Sequence, residues 1–319
     1  MNEILKTIEN SKNKLQALLQ DKNNKKVLYN WLMCELAYTS NAIEGNTLTR
    51  KETARIIEEK ITSSSKPFVH YQEAINHAAA FSYILYDVIK KDLEINECMF
   101  LNLHKLILCG IDDKNAGFYR NCMVRISGSR VVLPNYMKVP LLMNNFFEQL
   151  KTEEINNPLT AIKAHYEIVS IHPFVDGNGR CARLFMNLLL LKAGYAPIII
   201  RPIDRKRYLD NIEKGQLTKD TAAYTVYMLS KLNTSLQSAI NIIDIPKEDI
   251  SDNNLLKVSE FASILKVRPS AVRYWVKEGK LLPYKYTEAG YMLFSKSQVQ
   301  EAKNKFIIKR KSKQSFIPY

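Results

Sequence analysis

Acidic side chains are in short supply in this 319-residue sequence, with 32 Asp and Glu against 46 Lys and Arg, a formal charge of +14. Long apolar runs are missing too: none reaches the roughly 18 residues that suggest a membrane span. The opening stretch MNEILKTIENSKNKLQ lacks the apolar segment of a signal peptide. Its Ile4, Leu5, Ile8 and Leu15 recur at helical spacing instead and predict an amphipathic helix, so a cytosolic location is expected. Cysteine is sparse and irregular: five residues, with no C-x-x-C pair and no histidine at zinc-finger spacing. That pattern argues against a disulfide framework and a structural metal, and Cys34, Cys98, Cys109, Cys122 and Cys181 read as buried thiols. A hydrophobic content of 46% with 24% charged residues argues against global disorder.

What is present is mostly helical periodicity. Stretches such as KKVLYNWLMCELAYTSNAIE, QEAINHAAAFSYILYDVI, NPLTAIKAHYEIVSI and RLFMNLLLLKAGY place apolar residues three and four apart. Asn157 followed by Pro158 is a helix-start signal, and Gly194 a stop. One segment departs from the pattern: MVRISGSRVVLP, Met123 to Pro134, alternates on either side of SGS and predicts a short β-hairpin lying on the helices. After the polar, proline-containing IDIPKEDISDNN (243–254) the character changes. From residue 251 onward there are 14 Lys and Arg against 5 Asp and Glu, a surplus of nine that marks a separate basic module. There, helices over Ser259–Leu265 and Ser270–Glu278, a turn at KVRP, a stop at Gly279, a two-stranded wing and a final helix make a helix-turn-helix pattern.

The densest chemistry lies in IHPFVDGNGRCAR, residues 171–183. Pro173 ends the incoming helix at His172, and DGNG leads into the next one. A glycine-rich loop feeding a helix N-terminus turns backbone N–H groups and the positive end of the dipole toward one point, a site for phosphate. Arg180 and Arg183, three apart on the first turn, reach the same polyphosphate. Asp176 suits the Mg²⁺ that accompanies nucleotide phosphates, and His172 stands where a general base would. Together these are the parts of a phosphoryl-type transfer.

HPFVDGNGR with the further Arg183 resembles the signature of Fic domains, His-x-Phe-x-Asp/Glu-Gly-Asn-Gly-Arg-x-x-Arg, at every specified position. The resemblance extends over roughly residues 30–235. It implies a mainly α fold with a small β-hairpin flap, and transfer of AMP from ATP, with Mg²⁺, to a Ser, Thr or Tyr hydroxyl of a target protein. On that resemblance His172 deprotonates the acceptor and Asp176 holds Mg²⁺. Gly177, Asn178 and Gly179 cradle the α- and β-phosphates beside Arg180, Arg183 takes the γ-phosphate, and the Met123–Pro134 flap aligns the target as an added strand. Tyr208 is expected in the adenine pocket. In TSNAIEGN, Ser40 and Glu44 resemble the inhibitory Ser/Thr-x-x-x-Glu-Gly/Asn motif of Fic proteins, with Glu44 expected to pair with Arg183. The C-terminal stretch resembles the winged helix-turn-helix of MerR and excisionase type, with Arg268, Arg273 and Lys277 as expected duplex DNA contacts, although a basic module equally suits an acidic partner. The expected domains are a helical region carrying the inhibitory motif (1–110), a Fic core (111–245) and the winged helix-turn-helix with its basic tail (251–319). Two other readings stay open, a DNA-binding regulator with a nucleotide-sensing Fic-like domain and a de-AMPylating enzyme, as does homodimer formation.

Overall fold

The computed structural model describes residues 2–61, 66–244, 255–278, 280–286 and 292–308. The linker expected after Asp244, the Gly279 stop, the tip of the wing (287–291) and the basic tail from 309 lie outside them. The chain divides into two compact units, Met1–Ile243 and Asp244–Tyr319.

The first unit is a helical assembly of α1 (Asn2–Leu18), α2 (Lys22–Ile43), α3 (Arg50–Glu58), α4 (Phe68–Tyr83, continued by a π-helical stretch Ile84–Ile89), α5 (Glu97–Leu108), α6 (Val139–Thr152), α7 (Pro158–Ile171), α8 (Asn178–Lys192), α9 (Arg205–Thr218) and α10 (Ala222–Ile243). α8 is its axis. The RLFMNLLLL run is apolar nearly all round, and α8 is accordingly buried from Cys181 to Leu190, packed by α7, α5, α4 and α2. α1 lies along α10 and buries Ile8 and Leu15, the apolar spacing expected of it. One apolar core runs from Ile8 to Ile243, so the division drawn at residue 110 falls inside continuous packing.

The second unit holds β1 (Leu256–Lys257), α11 (Val258–Ile264), α12 (Pro269–Lys277), β2 (Lys285–Tyr286), β3 (Met292–Phe294) and α13 (Lys296–Ala302). Lys266 takes a left-handed conformation and Pro269 opens α12, which makes the tight turn between the two helices. The helices begin and end one residue earlier than the sequence pattern predicts. A third strand, β1, pairs antiparallel with β3, giving the order β1-β3-β2; two residues are too few to show alternation. Phe261 on Phe294 and Trp275 on Phe306 fill a separate small core.

Two expectations are corrected. Residues 123–134 turn at the predicted place, with Ser129 N–H donating to the Ile126 carbonyl, yet no ladder pairs the two arms. Side chains of neighbouring elements hold only the two ends and the tip of the segment, as described below. Of the cysteines only Cys34 and Cys181 are buried, while Cys98, Cys109 and Cys122 are exposed, because helix ends and loops rather than core faces carry them. Among the described residues no helix is long and apolar enough to cross a membrane.

Candidate active site

α7 begins as its sequence requires, with Asn157 Oδ1 accepting from Leu159 N–H and Pro158 in the first turn. It ends at His172, forced out of the helix by Pro173 and held in the left-handed region at φ 54°. A non-glycine residue there costs about 1 kcal/mol. Two bonds compensate: His172 N–H donates to Ile168 O at 2.9 Å, and Arg120 Nε donates to His172 O at 2.8 Å. Burial holds the His172 imidazole below the usual histidine range, partly opposed by the Val169 backbone, Glu44 and Asp176, and its Nδ1 is buried without a well-formed hydrogen bond. It is therefore a neutral ring at physiological pH, able to accept a proton.

The loop that follows is braced from inside. Phe174 is fully buried, stacked on Phe100 and parallel to the His104 ring at 3.5 Å. His104 Nδ1 accepts from Gly117 N–H at 3.0 Å and its Nε2 lies 2.9 Å from the Asp176 carbonyl, which fixes the tautomer with the proton on Nε2. Burial takes His104 down to about 4, so it stays neutral. Gly177 sits at φ 75°, and a Cβ there would meet the His104 ring at 3.2 Å. Only glycine combines that conformation with that contact. Asn178 is buried, and its side chain bonds both the N–H and the carbonyl of Phe174. The Asn178 amide group is thus spent on closing the loop, although a phosphate-cradling role is expected of this residue. No side chain caps α8, which leaves its first amides without a capping acceptor, the arrangement that suits an anion.

The two arginines are both engaged. Arg180 Nη1 donates to Glu73 Oε1 at 2.8 Å and Nη2 to Asp176 Oδ2 at 3.0 Å, while Asn46 Nδ2 donates to Glu73 Oε2. Arg183 donates from Nε to Ser40 Oγ and from Nη2 to Ser40 O, both at 3.0 Å, and from Nη2 to Glu44 Oε1 at 2.6 Å. Ser40 of α2 and Glu44, the C-cap residue of that helix, thus meet Arg183 of α8 across more than a hundred residues. Burial opposes the charge on Arg183, but Glu44 and Tyr208 outweigh it and raise its proton affinity. A Cβ on Gly179 would land on Glu44 Oε1, so the close approach of this carboxylate depends on a missing side chain.

Tyr208 does not line an open pocket. It is 1% exposed, bonded to Arg183 and, at 2.8 Å, to His165 Nε2, whose Nδ1 meets Tyr224 Oη at 2.7 Å. Burial drives His165 to about 3 and His77, near both arginines, to about 3 as well. Asp176 is different: its side chain is 65% exposed. Among the described residues no cluster of three His, Cys, Asp or Glu side chains could hold a metal alone. One exposed carboxylate is nevertheless the donor set that suits Mg²⁺, which keeps its waters and takes further oxygens from substrate phosphates.

Residues 94–190 match the Fic/DOC family and 256–305 the MerR HTH family of regulatory proteins. The chain carries a Fic domain. Protein adenylyltransferase Fic of Nematostella vectensis is 35% identical over 179 residues, 56% of this chain and 42% of that protein. The Drosophila grimshawi protein of the same name is 38% identical over 174 residues, 54% of this chain and 35% of that protein. The chain thus spans less than half the length of these relatives. Among solved structures, a Fic domain containing signaling protein from Bacteroides thetaiotaomicron superposes with a TM-score of 0.67 at 26% identity, over 75% of this chain and 97% of that one. Fic-1 from C. elegans gives 0.63 at 26% identity, over 76% and 72%. In the MerR-type unit Arg268 stands at the N-cap position of α12 without a side-chain capping bond and Arg273 lies exposed on the helix, whereas the Lys277 side chain lies outside the described residues. Around the Fic loop, sequence reading passed over His104, Glu73 and Arg120, which have no local motif and reach it only through the fold.

Proposed function

We propose that the Fic unit transfers AMP from ATP to a hydroxyl of a target protein, and that Glu44 holds it in an off state. The observation that carries this reading is the Glu44–Arg183 pair at 2.6 Å, which occupies the guanidinium suited to a γ-phosphate. In the active state the uncapped amides of α8 bind phosphate oxygens, and Arg183, released from Glu44, anchors the far end of the chain. Asp176 would hold Mg²⁺, which supplies charge neutralisation at the phosphates. The acceptor oxygen attacks the α-phosphorus as its proton passes to neutral His172, the bond to pyrophosphate breaks, and AMP is left on the target. With Arg183 on Glu44 the nucleotide sits in a pose unsuited to this in-line attack, and a small misplacement costs on the order of 10²-fold in rate.

The target is read as an extended chain laid on residues 123–134. Among the described residues the amides of Met123 to Ile126 make no backbone hydrogen bond, so they are open to an added strand. The MerR-type unit is proposed to bind duplex DNA through α12. The test of the transfer reading is incubation of the Glu44→Gly chain with Mg²⁺ and ATP labelled at the α-phosphate. Label on protein that disappears with His172→Ala supports it. Label from γ-labelled ATP alone indicates a kinase and overturns it.

A further inference from the structure

Residues 122–134 lack a ladder of their own, yet both ends of the segment are tied down by side chains from elsewhere. At the base stands Arg120, a buried guanidinium with no carboxylate partner among the described residues. Its Nε donates to His172 O at 2.8 Å, Nη1 to Cys122 O at 3.1 Å and Nη2 to Pro134 O at 2.6 Å, while its own N–H donates to Pro173 O at 2.9 Å. One planar fork therefore clasps the two ends of the segment together and fastens both to the backbone of the candidate base. A lysine, with a single point of charge, cannot span three carbonyls in this way.

At the tip stands Glu213, partly exposed on α9. Its Oε1 accepts from Ser129 Oγ at 3.1 Å and from Arg130 N–H at 2.9 Å, one and two residues past the turn at Gly128. The Arg130 amide and Ser129 hydroxyl hold the Glu213 carboxyl below its usual range. Between these two anchors the arms stay free: Met123 and Val132 are among the most exposed apolar side chains of the unit. An edge meant to receive a chain needs to be unpaired and at the same time fixed, because ordering it on binding would cost affinity.

We propose that Arg120 and Glu213 are positioning residues that preset this segment as the acceptor edge, Arg120 by tying its base to the His172 backbone and Glu213 by holding its tip on α9. The proposal rests on the transfer reading for its consequence, acceptor binding, but the pinning itself is measurable without it. In the full chain, Glu213→Ala is expected to speed amide exchange at Arg130 and Val131 about tenfold, the loss of a bond to a charged acceptor, with the rest of the unit unchanged. Exchange as slow as in the parent overturns the proposal. In the Glu44→Gly background, with the His172→Ala chain offered as acceptor, Glu213→Ala should raise the KM for acceptor about tenfold and leave the KM for ATP within about twofold. A parallel rise in both overturns it. Arg120→Lys should lower kcat as well, since it loosens His172. If the Glu44→Gly chain transfers no label, the functional reading fails, and the exchange experiment alone decides whether the segment is pinned.

Discussion

Replacing Glu44 by Gln keeps the size of the side chain and removes its charge, and it should make the protein more active and less stable at once. Arg183 would retain Ser40 Oγ, Ser40 O and Tyr208, so the guanidinium is not orphaned. What is lost is one charge-assisted bond, to a carboxylate whose side chain is 37% exposed. Bonds to charged groups contribute about 1.5–3 kcal/mol, and the exposure of Glu44 argues for the lower end. About 1.5 kcal/mol in a unit of this size lowers Tm by roughly 3–6 °C. The same amount released from the off state raises the population with a free Arg183 about tenfold, and the transfer rate with it. ATP offers the γ-phosphate as a substitute partner, so saturating Mg-ATP should return most of the lost Tm and shift the variant further than the parent. Thermal melts with and without nucleotide, set beside α-label incorporation, give both signs in one series. A variant as stable as the parent, or an equal nucleotide shift in both, would refute the reasoning.

Three further outcomes follow from charge and burial. His172 sits below the ordinary histidine range, so the transfer rate of Glu44→Gly should be flat through neutral pH and fall only as acid protonates the ring, with an inflection below 6.5; an inflection above 7 in a pH–rate profile contradicts the base assignment. His77, His104 and His165 are neutral in the fold, at about 3, 4 and 3, and titrate near 6.5 once unfolded. Their stabilisation is full above pH 6.5 and lost as pH falls toward 4, about 1.4 kcal/mol per histidine per pH unit, and urea midpoints between pH 7 and 5 should drop steeply; a flat series would show that these rings are not neutral. Full-length protein should shift duplex DNA at low salt, and Arg273→Ala should weaken binding across all sequences and reduce the salt slope by about one; no shift at low salt makes the MerR-type unit a protein-docking element.

Much of the helical framework is legible from apolar spacing, in Ile8 and Leu15 on α1, and from apolar density, in the nearly continuous apolar run of α8. The loop of residues 172–179 is legible for a different reason, since Pro173 and the glycines restrict the backbone locally. The supports of that loop are not. Glu73 lies 107 residues from Arg180 and Arg120 lies 52 from His172, and nothing in their neighbourhoods announces the contact. Tyr208, expected in the adenine pocket on the resemblance, is turned inward by its helical phase with Ile212 and Gly215, which its charged neighbours in RKRYLDNI do not show. Residues 123–134 show the converse case. Their alternation suits a strand, but Arg120 holds only the ends of the segment and Glu213 only its tip, and the arms between them do not pair, so a pattern of side chains did not become a ladder.

The pairing of α1 with α10 also has a consequence for how the chain is made. Gln237 Nε2 donates to Ser11 Oγ across 226 residues, and Ile8 and Leu15, about 1% exposed in the finished fold, have their partners on that same distant helix. At ribosomal rates of about 5–20 residues per second, the first helix waits roughly 10–45 s before its cover is synthesised. Glu44 is made early in that interval and Arg183 only toward its end, so the carboxylate of the pair waits for the guanidinium it meets. Ile8 and Leu15 lack that cover until α10 has been made, so the core of the Fic unit closes only at the end of its own synthesis.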